Sequence, residues 1–129
     1  MAAIISAPSM NSFTPPPFIW LDLSGAQEFA ANDGQMRELM ATFEQSLSQE
    51  LVSIQANLAA NDGSNVELSL HALKGFMSLF SAPALAQAVA DLYQHSRQQP
   101  LEATREGFQS ILPNLEALLA EVRVWSSRL

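Results

Sequence analysis

The sequence contains no cysteine and few basic residues, and these two absences exclude several classes of protein. Without cysteine there can be no disulfides, thiolate zinc sites or cysteine nucleophiles. Six lysine and arginine residues stand against 13 aspartate and glutamate residues, so the net charge is −7. Surfaces that bind nucleic acids or anionic membranes need clustered basic side chains, and we therefore expect no nucleic-acid or membrane partner.

Long apolar runs are also missing. No segment approaches the roughly 20 apolar residues that a membrane-spanning helix needs. The first ten residues, MAAIISAPSM, have no basic region before their apolar residues, so we interpret them as neither a signal peptide nor an anchor. Together with the absence of cysteine, this pattern indicates a cytoplasmic protein.

Several catalytic motifs are absent as well. The sequence has no glycine-rich phosphate loop, no GxSxG turn, no kinase signature, and no histidine or acidic cluster at metal-ligand spacing. We therefore expect no ATP site, no metal site and no bound cofactor in this chain.

The sequence does contain enough apolar residues for one folded domain. Its 129 residues are 48% apolar and 15% charged, which is a globular composition. Residues 1–17 are rich in alanine, serine and proline and end in three consecutive prolines, which predicts a flexible or extended tail. A ligand for a proline-reading domain is the alternative interpretation of this tail. The folded domain then covers residues 18–129.

Helix signals dominate after the tail, and no segment shows the period-two alternation of a strand. The segments Ser24–Gln27 and Ser64–Glu67 each match a capping box, in which a serine and a glutamine or glutamate satisfy backbone amides at a helix start. The predicted N-caps are Ser24, Asn32 or Asp33, Ser64 and Ser81. The predicted helices cover about residues 24–31, 34–60, 64–80, 83–97 and 100–125.

The four longer segments carry apolar residues at steps of three and four, as amphipathic helices do. Four such helices with short connections predict an all-α fold, an antiparallel up-down four-helix bundle with an additional short N-terminal helix. Pro113 lies inside the last apolar stripe and predicts a kink or a break in that helix.

The third predicted helix carries the most informative stretch, LHALKGFMSLF. At about 100° per residue, its core stripe falls on one side of the helix and His71 falls on the solvent side. The stripe consists of Leu70, Leu73, Met77 and Phe80. A lone histidine in an apolar helix is usually a hydrogen-bonded core residue, but this spacing argues against burial. A displayed imidazole is largely neutral at pH 7 and can act as a nucleophile.

The neighbours of His71 on the same helix face indicate what kind of group could bind there. Lys74 lies one turn along, close enough to reach a charge on the imidazole, and its ammonium suits a phosphoryl group. Ser78 lies two turns along on nearly the same line. Gly75 flanks His71 and leaves space there for a partner, although glycine weakens a helix by about 1 kcal/mol relative to alanine.

Two leucines and a second histidine complete the set of candidate residues. Leu68 and Leu79 project on the glycine side, where they can form a docking patch or pack against the short first helix. His95 falls near a helix C-terminus, where a protonated imidazole is favourable. Glu67 is expected to serve the helix cap.

The run HALKG at residues 71–75 resembles the His-x-Leu-Lys-Gly signature of histidine-containing phosphotransfer (HPt) domains. The order of predicted helices is similar too, and the resemblance spans about residues 20–125. It implies a four-helix bundle in which His71 is the phosphorylated residue. It also implies that Lys74 steadies the phosphoryl group, that Gly75 gives clearance to the partner, and that Leu73 is a core residue.

The sequence departs from this family pattern at three places. Phe76 stands where the family usually has a small residue, and Ser81-Ala82 stands where it often has Gly-Ala. Leu92 is followed by Tyr93 where Leu-Glu is common. None of these departures removes a proposed reactive group, but Phe76 bears on the choice of partner.

The resemblance implies a phosphohistidine carrier without an ATP site of its own. It implies that His71 takes a phosphoryl group from a receiver-domain aspartate and passes it to another receiver aspartate in a two-component phosphorelay. The partners would be receiver domains of response regulators or hybrid histidine kinases, and Mg²⁺ would sit on the receiver. We expect a monomer.

Other interpretations of the sequence stay open. The chain can be a bundle of the same shape that binds a receiver or another signalling partner without being phosphorylated. It can also be an unrelated helical adaptor. A fragment of a hybrid kinase is compatible with the phosphotransfer interpretation, although Met1 and the tail favour a separate small protein.

Overall fold

A computed structural model describes residues 18–127 of the chain. The predicted tail at residues 1–17 lies outside the described residues. Four α-helices make up most of the described part, and a three-residue 3₁₀ helix, Ala26–Glu28, precedes them. The α-helices are α1 at Asp33–Ala59, α2 at Gly63–Phe80, α3 at Pro83–Ser96 and α4 at Leu101–Ser127. The prediction of an all-helical fold is therefore confirmed for this part of the chain.

The free backbone amides at the starts of α1 and α2 are capped by polar side chains. Asn32 caps α1 as predicted, because its side chain accepts a hydrogen bond from the Gln35 amide at 2.9 Å. The cap predicted at Ser64 is wrong. Asp62 caps α2 instead and accepts from the Asn65 amide at 3.2 Å. Asn61, with φ of 57°, turns the chain just before it.

Two further serine caps are also wrong, because each serine hydroxyl binds another group and does not bind the backbone amides at the start of the next helix. The Ser24 hydroxyl donates to the Asp22 carboxylate at 2.7 Å, and only a single 3₁₀ turn follows where a short α-helix was predicted. The Ser81 hydroxyl donates back to the Met77 carbonyl at 2.7 Å. Ala82 is the N-cap residue of α3, and Pro83 lies in its first turn as predicted.

The break predicted at Pro113 does not occur, since α4 continues through the proline. Pro113 is exposed, and so is Gln109, whose carbonyl would have accepted the missing hydrogen bond. Water can therefore satisfy that carbonyl, which removes much of the reason to end the helix.

The helices pack in a closed order around one core. α1 contacts α2 and α4, and α3 contacts the same two helices. On α2 the predicted core residues Leu70, Leu73, Met77 and Phe80 are all buried. Phe80 stacks on Phe43 of α1 with ring centroids 4.2 Å apart, and the Phe76 and Phe43 rings make an edge-to-face contact with centroids 5.5 Å apart.

The chain segment before α1 is fixed to the helices by backbone hydrogen bonds. The Glu121 carboxylate of α4 accepts from three consecutive amides, those of Ile19, Trp20 and Leu21, at 2.8–3.2 Å. Asp22 donates its amide to the Phe80 carbonyl at 2.9 Å. Farther along, the segment approaches α2 so closely that a Cβ added to Gly25 would lie 3.2 Å from the Leu79 Cα. The segment therefore covers the C-terminal end of α2, near the surface that carries the candidate residues.

Candidate functional site

His71 lies in the middle of α2 and is exposed, as the helical spacing predicted. The neighbouring core residues Leu70, Leu73 and Met77 are fully buried, so the backbone that carries the histidine is held firmly against the core. Within residues 18–127 no side chain or backbone group makes a hydrogen bond to the imidazole. Both ring nitrogens are therefore available to a molecule that approaches from outside.

Tyr93 of α3 is the aromatic residue beside this histidine. The two ring centroids are 5.1 Å apart and the ring planes are inclined by 46°. The Lys74 Nζ lies 5.7 Å from the centroid of the same tyrosine ring, and the Arg97 guanidinium carbon lies 5.9 Å from it. An imidazole and two cations thus gather around one phenol ring.

The charges at this site come from α2 and from the residue that caps the C-terminus of α3. Lys74 is the only lysine in the chain, and it is exposed. Arg97 lies one turn beyond Tyr93 and forms an ion pair with Glu67 at 3.8 Å. Glu67 was expected to serve the helix cap, and the structure shows it facing α3 instead. Of these two cations, Lys74 has no ion pair among residues 18–127, whereas the charge of Arg97 is offset by Glu67.

Gly75 has open space where a side chain would be. A Cβ built on it would meet no atom within 4 Å, excluding its immediate chain surroundings. Beside it lies a groove of about 620 Å³ between α2, α3 and the segment before α1. The predicted residues Lys74, Gly75 and Ser78 all line this groove, and so do Asp22 and Ser24 from the N-terminal segment.

The two leucines that were predicted beside the histidine occupy different environments. Leu68 has 65% of its surface exposed and borders a shallow depression between α1 and α2 that also contains Asn57. Leu79 is half-buried against the core, close to Gly25. The structure therefore places Leu68 apart from the groove. Leu79 lies near the groove and also contributes to packing.

The remaining candidate residues lie away from the groove. Phe76 is half-buried and its ring faces Phe43 of α1, so this bulky residue contributes to packing on the side away from Tyr93. His95 lies in the last turn of α3, as predicted, and it is exposed. Within residues 18–127 no three histidine, aspartate or glutamate side chains are placed to hold a metal ion together.

The comparison with protein families decides the classification. The family model of the Hpt domain matches residues 38–125, which is more than half of the chain and includes HALKG. The chain belongs to the Hpt domain family. Hpt domains act in phosphotransfer within phosphorelays and interact with receiver domains, so this Hpt chain has a phosphotransfer role of that general kind. No significant match to a curated protein or to a solved structure was found.

Within the described part of this Hpt chain, no helix has both the length and the apolar character needed to cross a membrane.

Proposed function

We propose that this Hpt chain carries a phosphoryl group on His71, taking it from the aspartate of one receiver domain and delivering it to the aspartate of another. The observation that carries the proposal is that the His71 imidazole, in the HALKG run, is accessible, has no hydrogen bond within residues 18–127 and lies next to the open space at Gly75. The proposal includes an antiparallel up-down four-helix bundle, which the contacts between successive helices and their short connections support.

The transfer is a substitution at phosphorus in which atoms and charge balance. The lone pair of one imidazole nitrogen attacks the phosphorus of the acyl phosphate. A nitrogen–phosphorus bond forms, the phosphorus–oxygen bond to the aspartate breaks, and the aspartate leaves as a carboxylate. The second imidazole nitrogen holds the ring proton throughout. The reverse sequence on a second receiver returns the imidazole to its neutral form.

Lys74 and Gly75 have distinct parts in this proposal. The Lys74 ammonium is placed one turn from His71 and supplies positive charge to the phosphoryl oxygens as they arrive. Gly75 leaves the approach to the imidazole open, which its empty surroundings support. We propose that Ser78, Leu68 and Leu79 contribute to docking of the receiver around this approach.

The receiver supplies the rest of the chemistry. We propose that Mg²⁺ is bound by the receiver and that this chain binds no cofactor and has no ATP site. The proposal also makes the chain a cytoplasmic monomer that meets receiver domains of response regulators or hybrid histidine kinases in succession.

The test is phosphoryl transfer from a panel of labelled, phosphorylated receiver domains. We expect at least one receiver to label the wild-type chain with phosphate that is lost in acid. The His71→Gln variant should remain unlabelled, whereas His95→Gln, the matched control with the other histidine replaced, should label normally. Label that persists in His71→Gln would assign the phosphate to another residue, and no labelling of the wild type by any receiver would refute the proposal.

The alternative is an adaptor that binds a receiver domain without accepting phosphate. The groove beside Gly75 is the observation that favours it, since a docking surface serves an adaptor equally well. A receiver that binds the wild-type chain and His71→Gln with the same affinity, and labels neither, would favour the adaptor.

A further inference from the structure

Tyr93 is the residue in contact with His71 that the sequence singled out as a departure from the family pattern and that the proposed function leaves unused. Its ring packs against the core on one side and is only half-buried. The ring also contacts the imidazole, with a centroid distance of 5.1 Å and the planes inclined by 46°. Tyr93 therefore contacts both the core of the bundle and the exposed His71 imidazole.

The contact is carried by the aromatic ring. Within residues 18–127 no partner is within hydrogen-bond reach of the Tyr93 hydroxyl, and the imidazole also has no hydrogen bond there. An exposed histidine without any hydrogen bond has several staggered rotamers available. A neighbouring ring removes some of these by excluded volume and favours others by ring–ring contact.

The same ring also attracts the two cations of the site. Lys74 Nζ and the Arg97 guanidinium each lie within 6 Å of its centroid, a distance at which the negative face of an aromatic ring attracts positive charge. Both cations thus lie near the ring that also contacts His71. Arg97 is additionally oriented by its ion pair with Glu67.

We propose that Tyr93 is a positioning residue for phosphoryl transfer: its ring sets the orientation of the His71 imidazole and keeps Lys74 and Arg97 beside it. This inference rests on the proposed function of His71. It assigns to the ring a role in transfer rate and none in receiver binding. Reactive groups that are already oriented avoid the entropic cost of being oriented during the reaction.

The first measurement concerns the contact and needs no phosphate. The chain has two histidines, so two imidazole Hε1 resonances are expected, and His71→Gln identifies which belongs to His71. We expect Tyr93→Leu to shift the His71 resonance because the ring current is lost, and Tyr93→Phe to leave it nearly unchanged. The His95 resonance is the internal control for a general disturbance of α3. Equal shifts of both resonances, or none at His71, would contradict the proposed ring contact.

The second measurement separates positioning from docking and from folding. With a receiver that labels the wild type, we expect Tyr93→Leu to lower the single-turnover rate at saturating receiver by about tenfold, since a poorly oriented nucleophile reacts slowly. The receiver concentration that gives half the maximal rate should stay the same. Tyr93→Phe should restore the rate to within about twofold of the wild type, because the ring is retained.

The outcomes distinguish this inference from the proposed function. A wild type that is labelled, with Tyr93→Leu equally fast, would refute the positioning role and leave His71 as the carrier. A loss that appears in Tyr93→Phe as well would assign the effect to the hydroxyl and contradict a role of the ring. A wild type that accepts no phosphate would refute the proposed function, and the positioning role with it, whatever the resonances show.

Discussion

Gly75 and Gly107 both lie well inside long helices, where glycine costs about 1 kcal/mol relative to alanine, but their surroundings are opposite. A Cβ added to Gly107 of α4 would lie 2.7 Å from the Leu92 Cδ1 of α3, closer than real Cβ atoms come. A Cβ added to Gly75 of α2 would meet nothing within 4 Å. The absence of a side chain therefore needs a different explanation at each of the two positions.

Gly107 is explained by the packing of the chain itself, since it lets α4 approach the buried Leu92 side chain. Nothing in the described residues 18–127 explains Gly75 in this way. A residue that weakens its helix without serving the packing of that helix points to a requirement outside the chain. Here the open space is beside the exposed His71, which is where a phosphoryl donor would have to approach.

The largest effect is expected when the packed glycine is enlarged. Gly107→Leu forces several atoms against Leu92, and we expect it to lower the free energy of unfolding by up to about 3 kcal/mol through overpacking. Urea unfolding measures the change. Gly75→Leu is the matched control and should be no less stable than the wild type. If both variants lost the same stability, the contrast between the two glycines would be refuted.

A somewhat smaller effect is expected at the segment that forms a wall of the groove near Gly75. Glu121→Ala removes the acceptor for three amides of that segment, and we expect a loss of about 2 kcal/mol because these hydrogen bonds involve a charged group. Thermal or urea unfolding measures the loss. Glu116→Ala, which removes an exposed carboxylate of the same helix, should change the stability by less than about 0.5 kcal/mol. Equal losses in the two variants would mean that the carboxylate–amide contact does not hold the segment.

The smallest effect has the opposite sign. Gly75→Ala adds a methyl group to empty space and improves the helix propensity of α2, so we expect it to raise the free energy of unfolding by up to about 1 kcal/mol. The same urea measurement gives the difference from the wild type. A loss of stability would show that the space around Gly75 is used by the fold.

Helical periodicity was sufficient to predict the exposed face of α2, because burial in an amphipathic helix follows a fixed angle per residue. His71, Lys74, Gly75 and Ser78 were all found in this way from positions within a single helix. For Leu79 the sequence left a docking patch and packing against the short first helix open, and the structure shows the second, since Leu79 is half-buried next to Gly25 at the start of that helix.

The residues that were missed belong to contacts between elements. Tyr93 lies on α3 and Arg97 is the C-cap residue one turn later, but the sequence does not show that Tyr93 meets His71. Glu121 binds amides about 100 residues earlier in the chain, and its position inside α4 gave no sign of this. The three serine caps failed for local reasons: Ser24 binds the Asp22 carboxylate, Asp62 takes the capping position before Ser64, and Ser81 binds the Met77 carbonyl.

The central claim is that the space at Gly75 admits the phosphoryl donor to His71. The most direct measurement is the rate of transfer from a phosphorylated receiver to Gly75→Leu, with the unfolding free energy of the same variant measured alongside. We expect an intact fold and a rate at least about tenfold lower than in the wild type, because the added side chain keeps the donor from the attacking nitrogen. A folded Gly75→Leu variant that accepts phosphate as fast as the wild type would contradict the claim.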